Sequence, residues 1–279
     1  MAGIEQNLFS LKNKVTVITG ATGLLGKHHC EAIAAFGGSL VLIDINKREL
    51  KSLVKKLSNK YRTKVMGYNL DITNESEVSI VSNQVIKKFK KIDCLVNNAA
   101  NNPKVTKIKS IPKNLSRLED FSLEQWNQDI SVSLTGSFLC TKYFGSLIAK
   151  NKNGGSIVNI SSDLGIVAPD QRLYRRKGIP INKQPVKPVT YSVVKSGIIG
   201  LTKYTSTYWP HKVRCNALCP GGVKNNQPKE FIKLVSDRIP LNRMADADEY
   251  QGTLIWLLSD ASSYLNGAVI PVDGGRTAW

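Results

Sequence analysis

Tyr191 and Lys195 stand four residues apart in the run Tyr191-Ser-Val-Val-Lys195-Ser-Gly-Ile-Ile-Gly-Leu-Thr-Lys203. The run has no proline and carries Val193, Val194, Ile198, Ile199 and Leu201, so it reads as a helix, with the phenol and the ammonium one turn apart on one face. Such a pair can move a proton. Free tyrosine titrates near pH ~10, so acid–base work at neutral pH needs roughly three units, about 4 kcal/mol, of help to the phenolate. A neighbouring lysine supplies part of that. An isolated YxxxK is short and common, and by itself it fits a surface pair equally well. The elements around it must decide.

Those elements alternate. Lys14 to Thr19, Ser39 to Ile43, Lys64 to Leu70, Ile92 to Val96, Ser156 to Ser161, Val213 to Leu218 and Ala268 to Val272 read as strands. Between them Ala21 to Ala35, Lys47 to Tyr61, Glu75 to Phe89, Ser122 to about Lys150, Tyr191 to Trp209 and Asp248 to Leu258 read as helices. A polar segment without assigned structure runs from Pro220-Gly221-Gly222 through Lys229. The order predicts one α/β domain over 1–279, a doubly wound parallel sheet of about seven strands with helices on both faces. Ligands of such sheets collect at the carboxyl ends of the strands. Gly20, Asp44, Asp71 and Asn97 all fall there.

The first strand enters Thr19-Gly20-Ala21-Thr22-Gly23-Leu24-Leu25-Gly26 and then a helix. A glycine turn in that place lets backbone N–H groups and the helix dipole meet a pyrophosphate. Asp44 ends the second strand, where a carboxylate accepts from ribose hydroxyls and repels a 2′-phosphate. That favours NAD. Lys47 and Arg48 close by keep NADP open, and Asp44 also suits an N-cap for the following helix. Two insertions, at about 101–121 and 166–189, follow strand ends on the same side, as substrate loops do.

Charge is the compositional outlier: 39 Lys and Arg against 21 Asp and Glu give +18. Much of it sits in the insertions, as Lys104, Lys107, Lys109, Lys113 and Arg117, then Arg172, Arg175, Arg176, Lys177, Lys183 and Lys187. No aromatic-interleaved basic motif supports nucleic-acid binding. No apolar stretch is long enough for a membrane span and Met1 to Ser10 has no signal-peptide pattern, so a cytoplasmic protein is expected. Cys30, Cys94, Cys140, Cys215 and Cys219 are scattered and odd in number, which fits reduced thiols, and no spacing suits a metal.

Taken together, the glycine turn, Asp71, Asn97-Asn98-Ala99, the serine after strand five, YxxxK with SGxxGLTK, Pro220-Gly221-Gly222 and Val272-Asp273-Gly274-Gly275 resemble the short-chain dehydrogenase/reductase superfamily, in its compact single-domain branch. The resemblance runs from about Leu11 to Gly275. It implies a cofactor site made by Gly20, Thr22, Gly23, Leu24, Leu25, Gly26, Asp44, Asp71, Ile72, Asn98, Ala99, Ala100, Tyr191, Lys195, Pro220, Gly221, Val223 and Asn225. It further implies Tyr191 as general acid/base, Lys195 as the group that holds the nicotinamide ribose and depresses the tyrosine pKa, and Ser162 on the reacting oxygen. Ser133 stands where the family usually has the asparagine that holds a water behind the lysine, and is assigned to that relay. Tyr174 has no lysine four residues on and is kept only as a substrate contact.

The implied activity is NAD(P)-dependent interconversion of a secondary alcohol and a ketone by hydride transfer. Arg and Lys beside the site suggest an anionic small molecule, a phosphosugar or nucleotide-sugar. The segments APDQRLY and KPVTYSVVKSGIIGLTKY resemble a subgroup associated with bacterial surface-sugar and flagellin-glycan modification, hence carbohydrate biosynthesis. The alternatives are a reductase of uncharged carbonyl compounds and a cofactor-binding regulatory protein with little turnover. The resemblance also implies a homodimer or homotetramer built on the two long helices.

Overall fold

Seven short runs rich in Val, Ile and Leu pair side by side in a single parallel sheet. In this computed structural model, which describes residues 8–101 and 116–279, they are β1 (Val15–Thr19), β2 (Ser39–Asp44), β3 (Val65–Asn69), β4 (Cys94–Asn97), β5 (Gly155–Ile160), β6 (Val213–Pro220) and β7 (Val269–Val272). Their order is β3-β2-β1-β4-β5-β6-β7. The chain therefore winds outward from β1 in one direction, crosses over, and winds outward from β4 in the other. That reversal opens a crevice at the carboxyl ends of β1 and β4.

Side-chain alternation along each strand feeds a core on both faces. Ile18, Leu40 and Leu42 point to one face with the helices α1 (Leu24–Ala35), α2 (Lys47–Tyr61) and α9 (Gln251–Leu258). Val17, Val41 and Ile43 point to the other, against α3 (Glu75–Phe89) and the long central helix. That helix comprises α4 (Leu123–Ile130), α5 (Gly136–Cys140) and α6 (Ser146–Ala149), joined by two π-helical stretches, Ser131–Thr135 and Thr141–Gly145. Every junction keeps right-handed helical angles, so it runs on as one rod with two local widenings. Next to it stands α7 (Val189–Tyr208).

The strands and most helices agree with the expected ones to within a few residues. Three differences bear on the site. The helix after the glycine turn starts at Leu24, which leaves the turn itself non-helical. The N-cap of α2 is Asn46, whose side chain accepts from the Glu49 N–H, and Asp44 is left for other work. Beyond the polar segment a helix, α8 (Lys229–Ser236), was not expected. It packs with the second insertion: Leu173 is buried with Val235, Ile239 and Met244, and Tyr174 and Phe231 pack against them. Most of the first insertion lies outside the described residues, Lys104, Lys107, Lys109 and Lys113 included.

Candidate active site

The glycine turn is shaped by contacts that admit no side chain. Gly20 has φ +62, and a Cβ there would stand 2.7 Å from the Ala99 Cα. A Cβ on Gly26 would stand 2.1 Å from the Gly20 carbonyl oxygen, so glycine lets α1 start hard against the turn. No side chain caps the first N–H groups of α1 and its first turn has no acid, which leaves that end open to an anion. Asn98 donates from its amide to the Gly20 carbonyl at 2.9 Å and ties β4 to the turn. Asn97 is buried and donates to Thr141 and to Asn159, joining β4 to the central helix and to β5.

Asp44 points its carboxylate back over this turn. One oxygen accepts from the Thr22 N–H at 2.8 Å and the other from the Asn46 N–H at 2.9 Å. Asp71 accepts from Thr73, through both its N–H and its hydroxyl. Both acids line one cavity of about 1440 Å³ that runs from the glycine turn to α7 and α8. A drug-sized ligand fills a pocket of roughly 300–1,000 Å³, so there is room for a dinucleotide and a second molecule. The closely approached backbone, the open helix end and the acid at β2 fit a nicotinamide dinucleotide. Of the residues expected to form the site, all line the cavity except Gly26 and Ser133. Gly26 acts behind the turn, through the clearance it gives.

Tyr191 and Ser162 meet at the far end. Ser162 follows β5, and its Oγ is 3.5 Å from the Tyr191 hydroxyl. Lys195 is buried one turn along α7, and its Nζ donates to the Ile160 carbonyl at 2.9 Å, 6.0 Å from the Tyr191 ring centre. Burial lowers the Lys195 ammonium to about 8, the Lys187 charge adding to that fall while Cys219 opposes it. The expectation that Lys195 depresses the tyrosine is not met in this structure. Burial pushes the phenol up and the Asp163 charge adds to the rise, while the Ser162 hydrogen bond opposes it when Ser162 is the donor.

Three residues of this end were not singled out from the sequence. Lys187 lies with its Nζ 3.7 Å over the Tyr191 ring, and burial brings it down to about 8. Asp163 accepts from the Ser162 hydroxyl at 2.8 Å, and Arg276 closes on the other Asp163 oxygen at 3.0 Å. Burial raises the Asp163 carboxyl, against the pull of Ser162 and Arg276. Lys187 was legible only as one of a basic cluster, since Pro188 separates it from the helical pattern of α7. Nothing in sequence spacing links Asp163 to Arg276.

Ser133 lies in the first π-helical stretch, buried, and its Oγ accepts from the Asn101 N–H at 3.1 Å. Its carbonyl accepts from Ser137. The Ser133 hydroxyl thus accepts from the chain just beyond β4. Tyr174 does line the cavity, above Phe231 at 6.0 Å between ring centres. In the second insertion Arg172 does not reach the cavity: it pairs at 2.8 Å with Asp170, which also takes Arg238 at 2.6 Å. Arg175, Arg176, Lys177 and Lys187 do reach it. All five cysteines are buried and unbridged. Among the described residues no cluster of His, Cys, Asp and Glu could hold a metal, and no helix is long and apolar enough to cross a membrane.

Comparison with known proteins agrees with this fold. The short chain dehydrogenase family model matches residues 14–174, and the enoyl-(acyl carrier protein) reductase model matches residues 182–277. The chain is 31% identical over 277 residues to the NADP-dependent mannitol dehydrogenase of Alternaria alternata, covering 97% of this chain and 94% of the relative. It is 30% identical over 268 residues to post-translational flagellin modification protein A of Campylobacter coli, covering 95% and 98%. A crystal structure of a short-chain type dehydrogenase/reductase from Mycobacterium marinum superposes with a TM-score of 0.81 at 26% identity, covering 98% of both chains.

Proposed function

Since the chain belongs to the short-chain dehydrogenase/reductase family, oxidoreductases that act on CH–OH groups with NAD or NADP, we propose that it interconverts a secondary alcohol and a ketone on an anionic substrate, with Tyr191 as general acid/base. The observation that carries this reading is the meeting of Tyr191, Ser162 and Lys195 at the end of a cavity that begins at the glycine turn. A bound nicotinamide supplies or accepts the hydride. Tyr191 delivers the proton to the substrate oxygen in reduction and removes it in oxidation, and Ser162 holds that oxygen beside it. A deprotonated Tyr191 would lie beside the Lys187 and Lys195 ammoniums, an attraction that in this structure is outweighed by the burial that pushes the phenol up. Lys195, buried and fixed on the Ile160 carbonyl, would hold the nicotinamide ribose.

Asp44 supports NAD over NADP, because a carboxylate held over the glycine turn repels a 2′-phosphate. Replacing it, Asp44→Ala, is expected to lower the ratio of kcat/KM with NAD to that with NADP at least tenfold. A ratio that stays within twofold in steady-state assays would mean that Asp44 does not select the cofactor.

Arg175, Arg176, Lys177 and Lys187 support an anionic substrate, since they converge on the cavity from the second insertion. Guanidinium forks match phosphate oxygens in pairs. The experiment is a hydride-transfer assay over nucleotide-sugars, phosphosugars and the corresponding neutral sugars and polyols. Arg175→Glu with Arg176→Glu is expected to raise KM for the anionic substrates by about tenfold or more, the scale of one or two charge-assisted hydrogen bonds. Unchanged KM with turnover of the neutral compounds supports the second reading, a reductase or dehydrogenase of uncharged compounds. The mannitol in the name of the Alternaria relative favours that reading, and the flagellin modification of the Campylobacter relative favours the first. Homo-oligomer contacts belong on the outer faces of the central helix and α7, where Leu123, Phe138, Val193, Tyr204 and Tyr208 are exposed.

A further inference from the structure

The Ser162 hydroxyl has one hydrogen to give and two lone pairs to fill. All three are accounted for. The hydrogen goes to Asp163 Oδ1 at 2.8 Å, one lone pair takes the Leu164 N–H at 3.2 Å, and the other faces the Tyr191 hydroxyl at 3.5 Å. Asp163 cannot swing away from this arrangement cheaply. Its Oδ1 also accepts the Leu164 N–H at 2.8 Å, and its Oδ2 is closed by Arg276 at 3.0 Å, both side chains being nearly excluded from water. Arg276 comes from the last described turn, Arg276–Ala278, which Asp273 fastens by accepting from the N–H groups of Gly275 and Thr277.

We propose that Asp163, held by Arg276, is a positioning residue that takes the single hydrogen of Ser162 in the absence of substrate, so that Ser162 meets Tyr191 as a hydrogen-bond acceptor. The inference rests on the reading of Ser162 and Tyr191 as the reacting pair. It has a chemical consequence. With both lone pairs filled, Ser162 can hold a substrate oxygen only when its hydrogen turns from Asp163 to that oxygen.

The test follows the Tyr191 phenol itself and needs no substrate, so its outcome is independent of whether the proposed reaction is right. Charged and titratable groups facing that phenol are Lys187 over its ring, Lys195 along α7, Tyr174 from the second insertion, and Asp163, which in turn faces Arg276 and Asp273. The full chain is labelled with 3-fluorotyrosine, the Tyr191 resonance is assigned by its loss in Tyr191→Phe, and its fluorine shift is titrated against pH. Ser162→Ala removes an acceptor that stabilises the neutral phenol, so the midpoint is expected to fall by about half a unit to one unit, the effect of one ordinary hydrogen bond. If Ser162 were a donor to the phenolate, the same variant would raise the midpoint. A rise, or no movement, overturns the proposal. Asp163→Asn keeps the size and can turn its amide toward Ser162, freeing the serine hydrogen for Tyr191. The midpoint is again expected to fall, and to fall less when Ser162→Ala is already present. An equal fall in both backgrounds would show that Asp163 acts on Tyr191 through its charge alone, and the positioning role would be wrong.

Discussion

Tyr191→Phe is expected to lower kcat by about 10³-fold, inside the roughly 10²- to 10⁴-fold range that a positioned acid–base group contributes. The change removes one oxygen whose only hydrogen bond among the described residues, to Ser162, is long at 3.5 Å. The fold should therefore be almost untouched. Binding of the dinucleotide, followed by fluorescence titration, should change by less than about threefold, because Lys195 keeps its place on the Ile160 carbonyl. The combination is what matters: a large loss in kcat with intact cofactor binding identifies a proton-transfer role. A variant that retains more than about a tenth of wild-type kcat would move the acid/base elsewhere, to a group such as Tyr174, half-buried in the same cavity. The pH profile of the wild type carries a second mark. Burial holds both Lys187 and Lys195 near 8, so the positive charge around Tyr191 drains away as the pH rises through that value.

Gly26→Ala is expected to weaken dinucleotide binding by at least tenfold and to lower Tm by several degrees. The added carbon would stand 2.1 Å from the Gly20 carbonyl oxygen and 2.9 Å from the carbonyl of Ala21. These are backbone atoms and cannot rotate aside, so α1 must be pushed off the turn. Overpacking of this kind costs about 1–3 kcal/mol, and for a chain of this size each kcal/mol is roughly 2–4 °C. The loss of affinity has a separate cause, the displacement of the N–H groups that face a pyrophosphate. Gly200→Ala is the control. Nothing lies within 4 Å of a Cβ there, and alanine in the middle of α7 is favoured over glycine by about 1 kcal/mol. Calorimetry on both variants, with a dinucleotide titration, separates a local clash from a general intolerance of substitution. Equal behaviour of the two variants would remove the argument from the turn.

The parts of the site that local spacing can encode were legible in the sequence. Tyr191 and Lys195 are one helical turn apart, and the glycine turn lies directly between a strand and a helix, so each could be read inside a window of a few residues. Asp44 was placed correctly at the end of β2, but its second duty as an N-cap belongs to Asn46, two residues on, whose side chain has the reach to the Glu49 N–H. The π-helical stretches were not legible, because Ser131–Thr135 and Thr141–Gly145 have no composition that distinguishes them from ordinary helix. Ser133 was assigned by analogy of position, and tertiary context gave its hydroxyl to the Asn101 N–H. Asp163 and Arg276 are 113 residues apart and meet only because β7 returns the chain to the end of β5 by way of β6. Arg172 is drawn away from the cavity for a similar reason. Asp170, just outside the basic cluster, takes both Arg172 and the distant Arg238.

The sheet order has a bearing on how the chain reaches this state. β1 pairs with β2 nearby, but also with β4, Thr16 lying opposite Cys94. That second pairing is the seam between the two halves of the sheet, and closing it requires the whole intervening loop of chain to be gathered first, an entropic cost that slows parallel sheets. Gly20 and Asn98 stand on opposite sides of the same seam. The crevice that receives a dinucleotide is therefore absent from either half alone and comes into being at the moment the halves join. A dinucleotide bound there then stabilises the join with the logarithm of its concentration over its dissociation constant, so ligand supply and completion of folding are coupled through a single line of contact.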